Sequence, residues 1–133
     1  MPQNINHKDI SVIIPTYNRD IQVVQRTIDS ILQLQEVENE RLSLEILIID
    51  QNFPRLNLKS QYSNSELGFH EIYAEDISNQ NYIEKSKNYL IHLFGLNPSV
   101  TKAKNFALSH CCGKYIVFLM MMSKFIKIVL KTM

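Results

Sequence analysis

The chain has 133 residues, a length that suits a single domain with its own hydrophobic core. Hydrophobic residues make up 45% of it and charged residues 20%, which is typical of a soluble globular protein. The 14 lysines and arginines nearly balance the 13 acidic residues, so the net charge is +1. This balance gives no electrostatic basis for binding nucleic acid, and we expect no such partner.

The cysteines and the apolar segments indicate a cytoplasmic protein. Cys111 and Cys112 are adjacent, and neighbouring residues rarely bridge each other, so we expect free thiols in a reducing compartment. The first ten residues lack the apolar region of a signal peptide. The longest apolar run, residues 115–122, is far shorter than the roughly 20 residues that span a bilayer. We therefore predict no transmembrane segment.

The first fifty residues predict a strand, a helix and a second strand. The apolar run at residues 12–14 stops at Pro15, as a short strand buried on both faces would. Asp20 is a suitable N-cap for the helix that follows. The apolar residues of that helix recur at helical spacing: Ile21, Val24, Ile28, Ile31 and Leu32. A second apolar run, residues 44–49, predicts another buried strand that ends at Asp50.

The second half gives weaker signals until its end. Residues 51–87 are polar, with a short strand predicted around Ile72 and Tyr73, and residues 77–88 fit either a helix or a loop. Residues 89–94 predict a further strand. Ser99 precedes a predicted helix for which Gly113 provides the C-terminal stop, and residues 114–119 predict the last buried strand.

Strands that are continuously apolar and alternate with helices indicate an α/β fold with a mostly parallel sheet. In such sheets ligands bind beyond the carboxyl ends of the strands. Residues 15–19 and 50–52 follow two of these ends, so the sequence predicts a binding site there.

Three segments, "VIIPTYNR", "EILIIDQN" and "VTKAKNFALSHCCGKYIVFL", carry a resemblance over about residues 10–119. In this order they resemble the nucleotide-sugar-binding half of family 2 glycosyltransferases, which have the Rossmann-related GT-A fold. The resemblance implies that residues 1–119 form the N-terminal part of a glycosyltransferase domain. Such a domain transfers a sugar from a nucleotide diphosphate sugar to an acceptor.

The resemblance also implies a set of substrate-binding residues: Pro15, Thr16, Tyr17, Arg19, Asp50, Lys104 and Asn105. Residues 15–17 would line the base and ribose pocket, with Arg19 close by. Asp50 would accept a hydrogen bond from the base. Lys104 and Asn105 would lie near the diphosphate, where a cation is favourable.

Each of these residues also has an ordinary structural explanation. Tyr17 and Arg19 suit a solvated turn, and Asp50 suits a turn or helix cap. Lys104 suits an exposed helix face. Their joint occurrence at one predicted edge favours the nucleotide pocket.

The family's metal-binding motif is missing from its expected position. In the family the strand that matches "YIVFL" ends in an Asp-x-Asp or Asp-Asp-Asp motif, whose carboxylates hold Mn²⁺ or Mg²⁺ against the diphosphate. Here those positions are Met120, Met121 and Met122. Thioethers cannot replace hard carboxylate oxygens as ligands, so we expect the metal site, and with it the transfer activity, to be lost. The resemblance assigns no catalytic residue, because the acceptor-binding half is absent.

Two alternatives remain open. One is a non-enzymatic nucleotide-binding or interaction module that uses the same pocket. The other is an incomplete fold, whose exposed sheet edge and apolar surface would lead to self-association.

The methionine run suggests a frameshift. Aspartate codons GAT-GAT-GAT read one base late become ATG-ATG-ATG, which encodes consecutive methionines. Our hypothesis is that residues 120–133 are an out-of-frame tail. The alternative is a genuine methionine-rich strand end that packs into a core, as methionine does readily.

We predict that a single base has been deleted near the codon for Leu119 in the gene. Sequencing through and beyond the Met120 codon tests this, because restoring the frame should produce consecutive aspartates and a long open reading frame. Methionine codons that are not preceded by G, or a restored frame that soon stops, would contradict the hypothesis.

Overall fold

Alternating strands and helices account for most of the chain. A computed structural model describes residues 8–74, 88–121 and 126–132. The strands are β1 (Lys8–Thr16), β2 (Leu44–Asp50), β3 (Gly68–Tyr73), β4 (Tyr89–Phe94), β5 (Gly113–Met121) and β6 (Ile126–Thr132). The helices are α1 (Ile21–Leu32), α2 (Gln35–Glu38), α3 (Lys59–Tyr62) and α4 (Val100–His110).

All described strands form one sheet in the order β3-β4-β2-β1-β5-β6. The first five are mutually parallel, and β6 pairs antiparallel with β5. The predicted α/β fold with a mostly parallel sheet is therefore confirmed. The strand order reverses at β1, with β2 on one side and β5 on the other. Such a switch point opens a crevice at the carboxyl edge where ligands commonly bind.

Helix α1 covers one face of the sheet. Its predicted N-cap is confirmed, because the Asp20 side chain accepts a hydrogen bond from the backbone N–H of Gln22. Val24 and Ile28 are fully buried in an apolar cluster that includes Ile14 and several other strand side chains. Burying each such side chain stabilises the fold by about 1.5–3 kcal/mol. The helical spacing in the sequence thus arises from packing on β1 and β2.

Helix α4 covers the opposite face. Ser99, which precedes the predicted helix, caps it by accepting a hydrogen bond from the backbone N–H of Lys102. Ala103 and Ala107 are fully buried with Ile13 and Leu47 in a second apolar cluster. Because β1 and β2 are covered on both faces, their sequences are continuously apolar rather than alternating.

The predicted role of Gly113 is wrong. Helix α4 ends at His110, Cys111 is extended with φ −94° and ψ 152°, and Gly113 is the first residue of β5. A Cβ on Gly113 would lie 2.3 Å from the backbone nitrogen of Ser11. The glycine therefore permits β5 to approach β1 rather than ending the helix.

Two further predictions concern residues 114–119 and residues 77–88. The strand predicted at residues 114–119 is confirmed as β5, and a further strand, β6, follows it. The undecided segment at residues 77–88 lies outside the described residues except for Asn88. Within the described part of the chain, no helix has both the length and the apolar character needed to cross a membrane.

A buried polar cluster joins β1, β2 and β5 near their amino ends. The Ser11 hydroxyl donates to Glu45 Oε2, which also accepts from the backbone N–H of Cys112. The backbone N–H of Gly113 donates to the Ser11 hydroxyl over 2.7 Å. Burial raises the pKa of Glu45 above its ordinary value, although these hydrogen bonds and the charge of Lys8 oppose the shift.

The same surroundings make the thiols poor nucleophiles. Burial and the nearby Glu45 carboxylate raise the pKa of Cys111 to about 11 and that of Cys112 to about 12. Both thiols are free and half-buried. Because the thiolate is the reactive form, these cysteines are suited to packing rather than chemistry.

We predict that Glu45→Gln removes a pH dependence of stability. With a raised pKa, folded Glu45 retains a proton that the unfolded chain releases above about pH 4.3. The stability of the wild type therefore falls as pH rises from there through the folded pKa, and the variant lacks this fall. Urea unfolding of both proteins between pH 4 and 8 measures the difference. Glu66→Gln, at an exposed carboxylate, is the control, and parallel curves for wild type and Glu45→Gln would contradict the prediction.

Candidate functional site

Four strand ends meet at the carboxyl edge of the sheet. Thr16 pairs with Asp50, Asp50 with Phe94, and Phe94 with Tyr73. The loops that follow β1 and β2 therefore leave the sheet side by side. The edge predicted from the sequence is the place where polar side chains converge.

Asp50 is the most densely hydrogen-bonded side chain at this edge, and it is only 2% exposed. Its Oδ1 accepts from the backbone N–H and the side-chain amide of Asn52, at 2.9 and 2.8 Å. Its Oδ2 accepts from the backbone N–H of Leu56 and pairs with His92 Nε2, both at 2.7 Å. Two bonds to each oxygen leave the carboxylate well satisfied.

These donors determine the charge of Asp50. Burial alone would raise the pKa of its carboxyl group, but the hydrogen bonds from His92, Asn52 and Leu56 outweigh burial and lower the pKa below its ordinary value. Asp50 is therefore ionised at neutral pH. Because it accepts at Oδ2, the Nε2 atom of His92 carries the proton of that bond.

Asn52 connects this carboxylate to the turn after β1. Its side-chain amide donates to Thr16 Oγ1 over 2.7 Å as well as to Asp50, and its Oδ1 accepts from the backbone N–H of Arg19 over 3.0 Å. Asn18, between them, is left-handed with φ 54°, a conformation that asparagine tolerates. The turn that carries Tyr17 and Arg19 is thus held in place by β2.

Gln51 makes a second connection across the edge. Its backbone N–H donates to the Thr16 carbonyl over 2.9 Å, and its side-chain amide donates to the carbonyls of Asn97 and Ser99. Ser99 is the N-cap of α4. Gln51 therefore links the ends of β1 and β2 to the start of the helix on the opposite face.

His92 extends the network toward β3. It is fully buried, and its Nδ1 lies 3.5 Å from Glu71 Oε2 without a hydrogen bond to any described residue. Glu71 in turn lies 3.7 Å from Arg55 Nη1. The guanidinium of Arg55 lies over the ring of Phe94, with 3.9 Å between Cζ and the ring centroid. A chain of polar groups, from Asp50 through His92 and Glu71 to Arg55, thus runs from the buried edge to the surface.

Aromatic side chains are exposed around this network. Tyr17 is 52% exposed, Phe53 78% and Tyr73 45%. They follow or end β1, β2 and β3 respectively, so all lie at the carboxyl edge. Exposed aromatic rings are able to stack on a planar or sugar ligand.

The predicted site residues divide into two groups. Thr16, Asp50 and the backbone of Arg19 are joined through Asn52, and Pro15 and Tyr17 flank Thr16 at the same edge. In contrast, Lys104 and Asn105 lie on α4, on the other face of the sheet.

The α4 residues are the ones that the structure does not bring to the network. The ammonium of Lys104 lies 5.7 Å from the ring centroid of Phe118, and Asn105 is exposed. Within the described part of the chain, neither side chain forms a hydrogen bond or ion pair with the turn after β1 or with Asp50.

The sequence analysis missed most of the residues that hold Asp50. These are Leu56 and His92; Glu71 and Arg55, which extend the network beyond His92, were missed as well. One signal was available, since His92 interrupts the otherwise apolar strand "YLIHLF". A buried histidine in such a strand requires a polar partner, and Asp50 was the polar end of another predicted strand.

The metal expected for the family does not fit the residues at the end of β5. The strand continues through Met121, where Met120 pairs with Lys127 and Met121 with Ile126. Neither thioethers nor these neighbours provide the hard oxygen ligands that Mg²⁺ or Mn²⁺ requires. In the chain's described segments, no group of at least three acidic, histidine or cysteine side chains is arranged to hold a metal.

Comparisons with protein-family models, curated proteins and solved structures found no match to this chain. The fold and the edge network therefore rest on the structure itself.

We predict that Asp50→Asn destabilises the fold by about 1–3 kcal/mol at pH 7, because an amide NH₂ would face the donors Leu56 N–H or His92 Nε2–H. Since the pKa of Asp50 is lowered in the fold, its contribution is complete above the ordinary value of about 3.9 and is lost as pH falls through the folded pKa. The deficit should therefore shrink in acid.

Urea unfolding at pH 7 and at pH 3 measures this deficit. Asp20→Asn is the matched control, because asparagine also caps helices well. An equal loss of stability by Asp50→Asn at both pH values would show that the charge of Asp50 is not what the network stabilises.

Proposed function

We propose that this chain is the nucleotide-sugar-binding part of a family 2-type glycosyltransferase domain, and that it binds the nucleotide without transferring the sugar. The observation that carries the proposal is the link from Asp50 through Asn52 to Thr16 and Arg19. It fixes the turn after β1 beside the end of β2, at the carboxyl edge next to the switch point. A rigid turn loses little conformational entropy when a ligand binds.

The base and ribose are proposed to contact this turn. Tyr17 provides an exposed ring for stacking, and Arg19 and Pro15 flank it. Base stacking on an aromatic side chain contributes about 1–3 kcal/mol. Lys104 remains the proposed cation for the diphosphate, a role that requires the ligand to extend from the turn toward the face covered by α4.

The proposed loss of sugar transfer follows from the missing positive charge of a divalent metal. A departing nucleotide diphosphate needs its developing negative charge neutralised, and in the family a divalent metal does this. The methionines at 120–122 provide no carboxylate for that purpose. Binding requires less neutralisation than departure, so nucleotide binding survives in this proposal.

A non-enzymatic nucleotide-binding module is the second candidate. The preformed turn favours it, because hydrogen bonds between protein groups hold the turn beside β2. Both candidates place the ligand on the same turn and differ in whether the ancestral reaction persists. We also propose a cytoplasmic location, which suits the free thiols.

We predict that the chain binds nucleotide diphosphates equally well in EDTA and in Mn²⁺, and that Tyr17→Ala weakens binding about tenfold through lost stacking. Isothermal titration calorimetry measures both effects. Tyr115→Ala is the control, since Tyr115 is similarly exposed but pairs with Ile10 near the other end of β1.

Manganese-dependent release of free nucleotide from a nucleotide sugar would refute the absence of transfer. Unchanged binding by Tyr17→Ala would refute the location. Sedimentation of the same samples at increasing concentration tests the expected self-association, for which β3 provides the sheet edge: among the described strands it pairs with β4 alone.

A further inference from the structure

The Asp50 carboxylate has little capacity left for a ligand. Its two oxygens already accept from Asn52, Leu56 and His92, and only 2% of the residue is exposed. A base N–H could bind Asp50 only by displacing one of these donors. A displaced buried donor costs about as much as the new bond would contribute. The role that the resemblance gives to Asp50 is therefore unfavourable in this chain.

Arg55 lies beside the same position and faces solvent. The backbone N–H of the next residue, Leu56, donates to Asp50 Oδ2, so the peptide between Arg55 and Leu56 lies against the carboxylate. The Arg55 side chain is 46% exposed. Its guanidinium lies over Phe94, the residue of β4 that pairs with Asp50, so it is next to the carboxylate at the same edge of the sheet.

The guanidinium is also held in a defined orientation. One of its faces lies over the Phe94 ring at 3.9 Å, and Nη1 faces Glu71 Oε2 at 3.7 Å. Glu71 is itself positioned near the buried His92. The edge formed by Nε and Nη2 makes no hydrogen bond to a described residue. An arginine fixed in this way loses less side-chain entropy on binding than a free one.

We propose that Arg55, rather than Asp50, reads the nucleotide base, and that the base is guanine; this inference rests on the proposed nucleotide-binding function. A guanidinium edge offers two donors and no acceptor. Guanine presents two neighbouring acceptors, O6 and N7, which an arginine fork binds in a bidentate manner.

The other bases fit this donor pair less well. Uracil places its N3–H donor between its two carbonyl groups, and adenine places an amino donor beside N7. Cytosine has neighbouring acceptors, but its O2 is next to the carbon–nitrogen bond to ribose, where the sugar crowds the guanidinium. Guanine O6 and N7 lie away from the ribose.

Isothermal titration in EDTA with GDP, UDP, CDP and ADP tests the proposal on the whole chain. We expect GDP to bind about tenfold more tightly than the other three. Arg55→Gln should remove this preference while leaving UDP affinity unchanged. Arg55→Lys keeps the charge but not the planar fork, so it should lose the preference as well. Lys59→Gln, an exposed cation on α3, is the control and should retain the preference.

The outcomes separate this inference from the proposed function. Equal affinities for GDP and UDP would overturn base reading by Arg55 while nucleotide binding stands. An equal loss for all four ligands in Arg55→Gln would also overturn it, because Arg55 would then act on the phosphates. If no nucleotide binds the wild type, both proposals fail. Circular dichroism and urea unfolding establish that each variant is folded, and the wild-type comparison of the four nucleotides needs no variant.

Discussion

The buried carboxylate of Asp50 needs hydrogen-bond donors, and this need organises the carboxyl edge of the protein. A charge removed from water destabilises the fold unless donors replace the lost hydration. Here the donors come from separate parts of the chain: Asn52 and Leu56 follow β2, and His92 lies in β4. Each hydrogen bond therefore fixes the segment that contains its donor against the carboxyl edge. The turn after β1, through Asn52, the loop after β2 and His92 of β4 are all connected to this single group.

Strand β2 contains a second buried carboxyl group, Glu45. Comparing its pKa with that of Asp50 shows how hydrogen-bond donors offset the effect of burial. Glu45 accepts hydrogen bonds from Ser11 and Cys112, yet burial prevails and its pKa is raised. Asp50 receives bonds at both oxygens, including one from an imidazole, and its pKa is lowered. Burial acts on both carboxyl groups, but only at Asp50 do the donors outweigh it, so Asp50 keeps its charge at neutral pH. A retained charge beside exposed aromatic and arginine side chains is typical of a binding edge.

Sequence reasoning succeeded where local chemistry decides structure. The caps at Asp20 and Ser99 and the buried strands at β1, β2 and β4 all follow from short patterns of polar and apolar residues. It failed at Gly113, where the determining contact is with Ser11 in a strand far away in the sequence. His92, as a partner of Asp50, was missed for the same reason. His92 and Asp50 are separated by forty-two positions, and only the register of β4 against β2 brings them together.

Because β5 ends in methionines, it contributes no charged side chain there, and the charged groups of the carboxyl edge come from other parts of the chain. In the implied ancestral site a metal held by β5 would dominate the electrostatics on that side of the switch point. Without those carboxylates, ionisable groups of the described edge lie around β2, β3 and β4, where the acidic Asp50 and Glu71 flank His92 and Arg55 lies beside Glu71. In the proposed function these groups would lie near the base, whereas Lys104, proposed for the diphosphate, lies on α4 on the other face of the sheet. Oriented donors and stacking rings would then select the ligand without a metal. A leaving group would lack its neutralising cation, so recognition and catalysis, which one metal-containing pocket would combine, would be separable under this proposal.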